Sequence, residues 1–189
     1  KKYIFFFNLN KKLLNYIGKM FSQDYIILQH AKFRCRKKIA GFDYDHTLVK
    51  PKSKSTFSKS IDDWMWLRDN VKTTIQNLYT KGYAIVVFTN QSQEFKIDQI
   101  KLVLDSLDVP YKAYIMLKKE LKKPNPYSFE LFNIKKKVDL NKSFYVGDAL
   151  GREKDWSDSD KQFAINCLLK FSSPEEIFPF DKIKDVEIK

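Results

Sequence analysis

Tyr83–Phe88 (YAIVVF), a run without a polar residue, restricts the folds open to this chain more than any other segment. Such a strand is typical of a parallel sheet that helices cover on both faces. Apolar residues at helical spacing precede it from Trp64 to Lys81, and a second helical pattern follows from Phe95 to Leu107. We therefore predict an α/β fold.

Further strands and helices alternate along the chain. The predicted strands are Ile39–Phe42, Tyr111–Met116, Ser143–Val146 and Phe163–Cys167, and the predicted short helices are Asn125–Ile134 and Pro174–Phe178. This alternation predicts an open, mostly parallel, Rossmann-like sheet with helices on both faces. With 189 residues, we expect a minimal cap domain or none.

Polar residues follow three of the predicted strands at the point where each strand ends. Asp43 and Asp45 follow the first strand, Thr89 and Asn90 follow the second, and Asp148 follows the fourth. Ligands of open parallel sheets bind beyond the carboxyl ends of the strands. We therefore expect these side chains to converge on one crevice.

The two carboxylates of GFDYDHTLV suit phosphoryl transfer. Neighbouring acids in a crevice need a cation or a proton, and Mg²⁺ is the natural cation for carboxylates that face a phosphate. One carboxylate can attack phosphorus and form an aspartyl-phosphate. The other can protonate the leaving oxygen and then activate water. The competing interpretation is a pair of solvated aspartates at the end of a strand.

Three further elements have both a functional and an ordinary interpretation. The Thr89 hydroxyl can donate to a phosphate oxygen or cap a loop. Lys123 can neutralise phosphate charge in the transition state, or be one more solvated lysine. Asp148 can ligate a metal, or belong to a common Gly-Asp turn. The aspartate pair, Thr89, Lys123 and Asp148 follow one another along the chain, each at the end of a predicted strand or in a loop. This combination favours the functional interpretation.

Basic residues are concentrated at the start of the chain. The formal net charge is +12, and ten bases with one acid precede Gly41. This indicates either a nucleic-acid partner or a solvated basic segment. We divide the chain into a basic N-terminal extension at 1–24, a phosphatase domain at 25–180 and a charged tail at 181–189. Met20 as the native start is a hypothesis.

Cys35 and Cys167 are far apart, which argues against a disulfide framework and against a zinc site. We find no membrane span and no signal peptide in the sequence. These features favour a monomeric intracellular protein of the nucleus or cytoplasm, not a secreted or membrane protein.

The four elements together resemble the haloacid-dehalogenase phosphatase superfamily. The resemblance implies that Asp43 is the nucleophile and Asp45 the general acid and base. It also implies that Thr89 and Lys123 bind the phosphate. Mg²⁺ would be held by Asp43, the backbone carbonyl of Asp45, and Asp148.

A narrower resemblance covers about residues 25–180. The segments GFDYDHTLVKPKSKSTFSKSIDDW, KGYAIVVFTNQ, KKPNPYSFELF, FYVGDALGR and KDWSDSDKQFAINC are similar to the phosphatase domain of polynucleotide kinase 3′-phosphatases. That family hydrolyses 3′-phosphates at DNA termini during strand-break repair. His46 replaces its usual glycine, and the segment after TNQ is shorter than in the animal enzymes. A GxxxxGK[ST] loop is missing from the sequence, so 5′-kinase activity is not expected.

Within this resemblance, further residues are assigned to the substrate and to the support of the site. We expect Thr47, Asn90, Lys54 and Arg152 to bind the phosphate or the nucleic acid. Asp160 is the first choice for orienting Lys123 or a metal-bound water, with Asp155 and Asp158 as alternatives. Trp156 is expected to pack rather than to stack on a base.

Two other functions remain as alternatives. One is a phosphatase for a small metabolite, such as the histidinol-phosphate or heptose-phosphate relatives, although their Cys/His zinc loop is missing from this sequence. The other is a catalytically inactive module that binds nucleic-acid ends. The presence of every catalytic residue type argues against the inactive module.

Overall fold

A computed structural model describes residues 20–21, 24–134 and 138–180. The strands are β1 (Met20–Phe21), β2 (Tyr25–Gln29), β3 (Ile39–Phe42), β4 (Val49–Lys50), β5 (Met65–Trp66), β6 (Ala84–Asn90), β7 (Tyr111–Met116), β8 (Phe144–Val146) and β9 (Lys170–Ser172). The helices are α1 (Val71–Thr80), α2 (Phe95–Asp105), α3 (Tyr127–Asn133), α4 (Ser159–Asn166) and α5 (Pro174–Ile177).

Seven strands form the main sheet in the order β1-β2-β7-β6-β3-β8-β9. The five strands from β7 to β9 are parallel, and β1 and β2 add an antiparallel edge. After β3 the chain builds one side of the sheet with β6 and β7, and then returns to the other side of β3 with β8 and β9. This reversal opens a crevice at the carboxyl end of β3, where α/β proteins bind ligands.

The sheet separates two hydrophobic cores. Ile85 and Val87 of β6 point into one core, which also contains buried residues of α1 and α2. Val86 and Phe88 point into the other, which contains buried residues of α3 and α4. The predicted α/β fold with a mostly parallel sheet and helices on both faces is therefore confirmed.

Two predicted elements were wrong. The helix predicted from Trp64 begins only at Val71, because Trp66 lies in β5 and packs its ring against that of Trp64, with the centroids 5.4 Å apart. Phe163–Cys167 was predicted as a strand but lies in α4 and the turn after it. Its apolar run is too short to distinguish a strand from the buried face of a helix.

The crevice is covered only lightly in the part of the chain that the structure describes. β4 and β5 form a small antiparallel pair outside the main sheet, and the loop between them runs beside the crevice. Residues 1–19, most of the predicted N-terminal extension, and the tail at 181–189 lie outside the described residues. Within those described, no helix is both long and apolar enough to cross a membrane.

The double-sided burial of β6 predicts a large loss of stability when its side chains are shortened. Ile85 has no exposed surface, so Ile85→Ala should lower the free energy of unfolding by about 2–5 kcal/mol. Ile165→Ala is the matched control, because Ile165 is 52% exposed, and it should change stability by less than about 0.5 kcal/mol. Urea denaturation measures both, and equal losses would contradict the assigned core.

Candidate active site

The polar residues that follow the strands meet in one open pocket beyond the sheet. Its lining combines side chains from the ends of β3, β6 and β8 with the loop before α3 and the start of α4. These residues are Asp43, Asp45, His46, Phe57, Thr89, Asn90, Lys123, Asp148, Ala149, Trp156, Ser159 and Asp160. The expected convergence of Asp43, Asp45, Thr89, Asn90 and Asp148 is therefore seen in the structure, and Lys123 lines the same pocket.

Lys123 lies at the centre of the buried part of this pocket. Its ammonium Nζ donates to Asp43 Oδ1 at 2.5 Å, to Asp160 Oδ1 at 2.7 Å and to the Tyr145 hydroxyl at 2.8 Å. Tyr145 in turn donates to Asp160 Oδ1 at 2.8 Å. All three protons of the ammonium thus have acceptors, as a buried charge requires.

Burial and charge act in opposite directions on this group. Burial raises the pKa of Asp43 well above its usual value, and Asp160 and Asp148 add to the rise, while Lys123 opposes it. Burial alone would lower the pKa of Lys123, but the Asp160 and Asp43 carboxylates raise it above its ordinary value. Lys123 therefore stays an ammonium, and positive charge beside Asp43 favours the ionised form of its carboxyl group.

Asp148 completes a cluster of three carboxylates. Asp43, Asp148 and Asp160 each offer an oxygen within 4.8 Å of the others. Burial and the charge of Asp160 raise the pKa of Asp148. One ammonium among three carboxylates leaves two negative charges uncompensated, and hard oxygen donors suit a divalent cation. These residues could hold a metal ion.

Thr47 has a place that the sequence did not suggest. It was predicted to contact the substrate, but it is fully buried and its hydroxyl donates to Asp148 Oδ1 at 3.2 Å. A hydrogen bond of this kind fixes the orientation of a carboxylate. In the structure Thr47 therefore orients Asp148.

Gly147 lets Asp160 reach the centre of the site. A β-carbon at this position would lie 2.4 Å from the carboxyl carbon of Asp160, so a larger residue would displace that carboxyl group. The backbone N–H of Ala149 donates to Asp160 Oδ2 at 3.1 Å. Asp160 thus contacts Lys123 directly, whereas the alternatives offered for this role lie elsewhere: Asp158 is exposed and Asp155 binds Arg152.

Asn90 and Thr89 close the end of β6. The Asn90 side chain accepts from the Lys123 backbone N–H at 2.9 Å and donates to the Lys123 carbonyl at 3.2 Å. It therefore fixes the loop that carries Lys123. Thr89 is buried and accepts from Gln91 Nε2 at 3.0 Å, and its hydroxyl lines the pocket. Contact of either residue with a phosphate stays a prediction.

Asp45 stands apart from the other carboxylates. Its Oδ1 accepts from Lys96 Nζ at 2.6 Å, and its Oδ2 accepts from Gln91 Nε2 at 2.8 Å. Sequence reasoning missed Lys96, Gln91 and Tyr145. The FTNQ and FYVGD motifs contain Gln91 and Tyr145 and could have pointed to them, but Lys96 resembles any other lysine of an amphipathic helix.

His46 occupies the position after Asp45, where the similar phosphatases usually have glycine. Its φ of 55° lies in the left-handed region that favours glycine. The ring Nε2 lies 2.7 Å from the Thr56 carbonyl oxygen, so it tethers the loop between β4 and β5. The ring also lies beside Phe57, with the centroids 5.9 Å apart.

Two aromatic side chains form the outer rim of the pocket. Phe57 is 53% exposed and Trp156 is 79% exposed, with ring centroids 6.3 Å apart. The expectation that Trp156 packs in the interior was therefore wrong. Its loop carries Trp156 away from both cores, and the residue lines the pocket beside Phe57.

Lys54 and Arg152, both predicted to bind substrate, are exposed and do not line the pocket. Arg152 Nε donates to Asp155 at 3.0 Å, and its NH2 group donates to the Asp148 carbonyl at 3.3 Å. Arg152 therefore shapes the loop that follows Asp148. Contact of Lys54 or Arg152 with nucleic acid stays a prediction.

The contacts of Asp160 predict a stability loss for Asp160→Asn. The amide removes one negative partner of Lys123, and its NH2 group leaves one donor, either Lys123 Nζ or the Ala149 N–H, without its acceptor. The free energy of unfolding should fall by roughly 1–3 kcal/mol. Asp158→Asn, two residues away and exposed, should stay within about 0.5 kcal/mol of the original protein. Chemical denaturation that gave both variants the same stability would contradict this network.

A family model and two curated relatives similar to this chain all carry names of polynucleotide phosphatases. The family model described as polynucleotide kinase 3 phosphatase matches residues 38–178. A bifunctional polynucleotide phosphatase/kinase of Schizosaccharomyces pombe is 35% identical over 164 residues, which cover 80% of this chain and 40% of that protein. A polynucleotide 3′-phosphatase of Arabidopsis thaliana is 33% identical over 169 residues, which cover 75% of this chain and 24% of that protein. The chain spans less than half the length of either relative.

A solved structure shares the fold. D,D-heptose 1.7-bisphosphate phosphatase from B. bronchiseptica, complexed with magnesium and phosphate, superposes with a TM-score of 0.52 and 21% identity. The match covers 72% of this chain and 78% of that one. From the family match over residues 38–178, the chain belongs to the polynucleotide kinase 3 phosphatase family.

Proposed function

We propose that this protein is a Mg²⁺-dependent phosphatase that removes 3′-phosphates from nucleic-acid ends, with DNA ends as its substrate. The observation that carries the proposal is the contact of Lys123 with both Asp43 and Asp160 in a pocket that also contains Asp45 and Asp148. The family match and the relatives named for 3′-phosphatase activity support the substrate class.

Asp43 is the proposed nucleophile. One of its oxygens attacks phosphorus, and the bond between phosphorus and the 3′-oxygen of the substrate breaks. Lys123 beside Asp43 neutralises charge on the transferring group, and the hydroxyl of Thr89, which lines the same pocket, donates to it. Asp45, which lines the same pocket, gives a proton to the leaving oxygen.

The same two aspartates complete the reaction. Asp45, now a carboxylate, takes a proton from a water molecule that attacks the phosphorus of the aspartyl-phosphate. Inorganic phosphate leaves, and Asp43 is restored as a carboxylate. Asp160, which pairs with Lys123 Nζ at 2.7 Å, keeps the lysine in place while Asp43 carries the phosphoryl group.

The acidic cluster supports a divalent ion in this reaction. Asp43, the backbone carbonyl of Asp45, and Asp148 are the proposed ligands, and Thr47 orients Asp148. When bound, Mg²⁺ supplies positive charge to the phosphate oxygens and to the Asp43 carboxylate. The raised pKa values of Asp43 and Asp148 fit this requirement for positive charge.

The rim supports a polymer end as substrate. Exposed aromatic rings next to a phosphate pocket can stack on nucleobases, and Phe57 and Trp156 are exposed there. The loop between β4 and β5, which carries Phe57, also contains three exposed lysines, Lys52, Lys54 and Lys59. Nucleic-acid ends occur inside cells, so we propose the nucleus or cytoplasm as the site of action.

Phosphate release from a panel of substrates tests the proposal. A 3′-phosphorylated DNA oligonucleotide should be hydrolysed, whereas the same oligonucleotide with a 5′-phosphate and small phosphate esters should react at least about 10²-fold more slowly. Chelation by EDTA should stop the reaction, and added Mg²⁺ should restore it. A 3′-phosphorylated RNA of the same sequence measures the preference for DNA.

Asp43→Asn is the variant for this assay, and Asp158→Asn is its control. The first should abolish turnover with the fold intact, because an amide cannot act as the nucleophile. The second should keep the original rate. Activity confined to small esters would overturn the substrate class, and a near-normal rate for Asp43→Asn would overturn the nucleophile.

A further inference from the structure

Lys96 is a buried lysine that the proposed reaction does not use. It lies at the start of α2 and is only 3% exposed. Its Nζ forms an ion pair with Asp45 Oδ1 at 2.6 Å and donates to Gln99 Oε1 at 3.0 Å. Lysines are almost never fully buried unless paired, so this position is defined by its partners.

The partner on the interior side is itself held firmly. Gln99 is fully buried and accepts from the Tyr44 hydroxyl at 3.3 Å. Its amide donates to the Ser60 carbonyl at 2.8 Å and to the Ile61 carbonyl at 3.3 Å. Gln99 therefore fixes one side of the Lys96 ammonium, and the Asp45 carboxylate occupies the other.

Both oxygens of Asp45 are held from the same segment of chain. Gln91 donates to Oδ2 at 2.8 Å while its amide also contacts Thr89, and Lys96 occupies Oδ1. Two donors on two oxygens restrict both rotatable bonds of the aspartate side chain. The direction in which Asp45 faces is thus set by residues of the β6–α2 connection.

Asp45 lies at the boundary between two spaces. Asp45 lines the pocket of Asp43 and Lys123, and it also lines a neighbouring groove with Gln91, Lys96 and Lys122. The two spaces share Phe57 and Asn90 as well. The proposed reaction would place the leaving 3′-oxygen near Asp45, where the two spaces meet.

We propose that Lys96 is a positioning residue, which holds the Asp45 carboxyl group in line with the departing 3′-oxygen. This inference rests on the proposed function. In the first half of the reaction, the bond between phosphorus and the 3′-oxygen breaks as the bond to Asp43 forms, and the Asp45 proton moves to the 3′-oxygen. Lys96 takes no part in bond making. Its ammonium holds the Asp45 carboxyl group in the orientation that proton transfer to the 3′-oxygen requires.

The competing explanation is that the ion pair only stabilises the packing of α2. The two explanations differ for a leaving group that needs no proton. A 3′-sulfur leaves as a thiolate, which is stable without protonation, whereas a 3′-oxygen leaves as an alkoxide, which is not. A packing defect would slow both, and a misplaced proton donor would slow only the oxygen ester.

Single-turnover cleavage of two matched oligonucleotides tests the proposal. One ends in an ordinary 3′-phosphate, and the other has sulfur in place of the bridging 3′-oxygen. With enzyme in excess, the appearance of free oligonucleotide reports the first half of the reaction alone. Lys96→Met should slow the oxygen substrate about 10²-fold and leave the sulfur substrate within about threefold of the original rate.

Matched variants make the outcomes separable. Lys101→Met is the control on the same helix, because Lys101 forms a partly exposed pair with Asp105, and it should leave both rates unchanged. Asp45→Asn should show the same selectivity for sulfur as Lys96→Met. If Lys96→Met fails to fold by circular dichroism, Lys96→Gln keeps a neutral donor and should show the selective loss in a milder form.

Equal slowing of both substrates by the Lys96 variants, or no slowing of either, would overturn the positioning role. If Asp45→Asn is selective but the Lys96 variants are not, only the inference about Lys96 fails. If Asp45→Asn shows no selectivity, the acid assigned to the proposed reaction fails, and the role of Lys96 fails with it.

Discussion

The ammonium of Lys123 between Asp43 and Asp160 is the interaction on which the rest of the site depends. Without it, two carboxylates on separate loops would repel each other in a buried space. With it, the end of β3, the loop before α3 and the start of α4 are drawn to one point. A third carboxylate, Asp148, then leaves the pocket with an excess of negative charge that suits a divalent ion.

Several parts of the fold, far apart in sequence, bring Asp43, Lys123 and Asp160 together. Strand order places β8 beside β3, so that Asp43 N–H donates to the Val146 carbonyl and the two acidic loops lie next to each other. Because Gly147 has no side chain, the Asp160 carboxyl group can occupy the space beside it. The Asn90 side chain accepts a hydrogen bond from the backbone N–H of Lys123. The side of the pocket that carries Asp45 is organised separately, through α2. Asp43 and Asp45 are thus held by different parts of the molecule.

Sequence reasoning succeeded where local pattern and sheet geometry decide the outcome. Ile39–Phe42 and Tyr111–Met116 are strands with the predicted bounds. The first is an apolar run between Lys38 and Asp43, and the second begins directly after Pro110. Sequence reasoning failed where contacts with residues far away in the chain determine whether a side chain is buried. Nothing local distinguishes buried Lys96 from the exposed lysines near it, and the burial of Thr47 depends on Asp148, far along the chain.

A crystal structure of the protein with Mg²⁺ and inorganic phosphate tests the central claim most directly. We expect the ion within about 2.0–2.1 Å of a carboxylate oxygen of Asp43 and of Asp148, with the phosphate beside both Asp43 and Lys123. Asp160 should still contact the lysine. An ion and a phosphate bound elsewhere, with Asp148 out of reach of Asp43, would contradict the account.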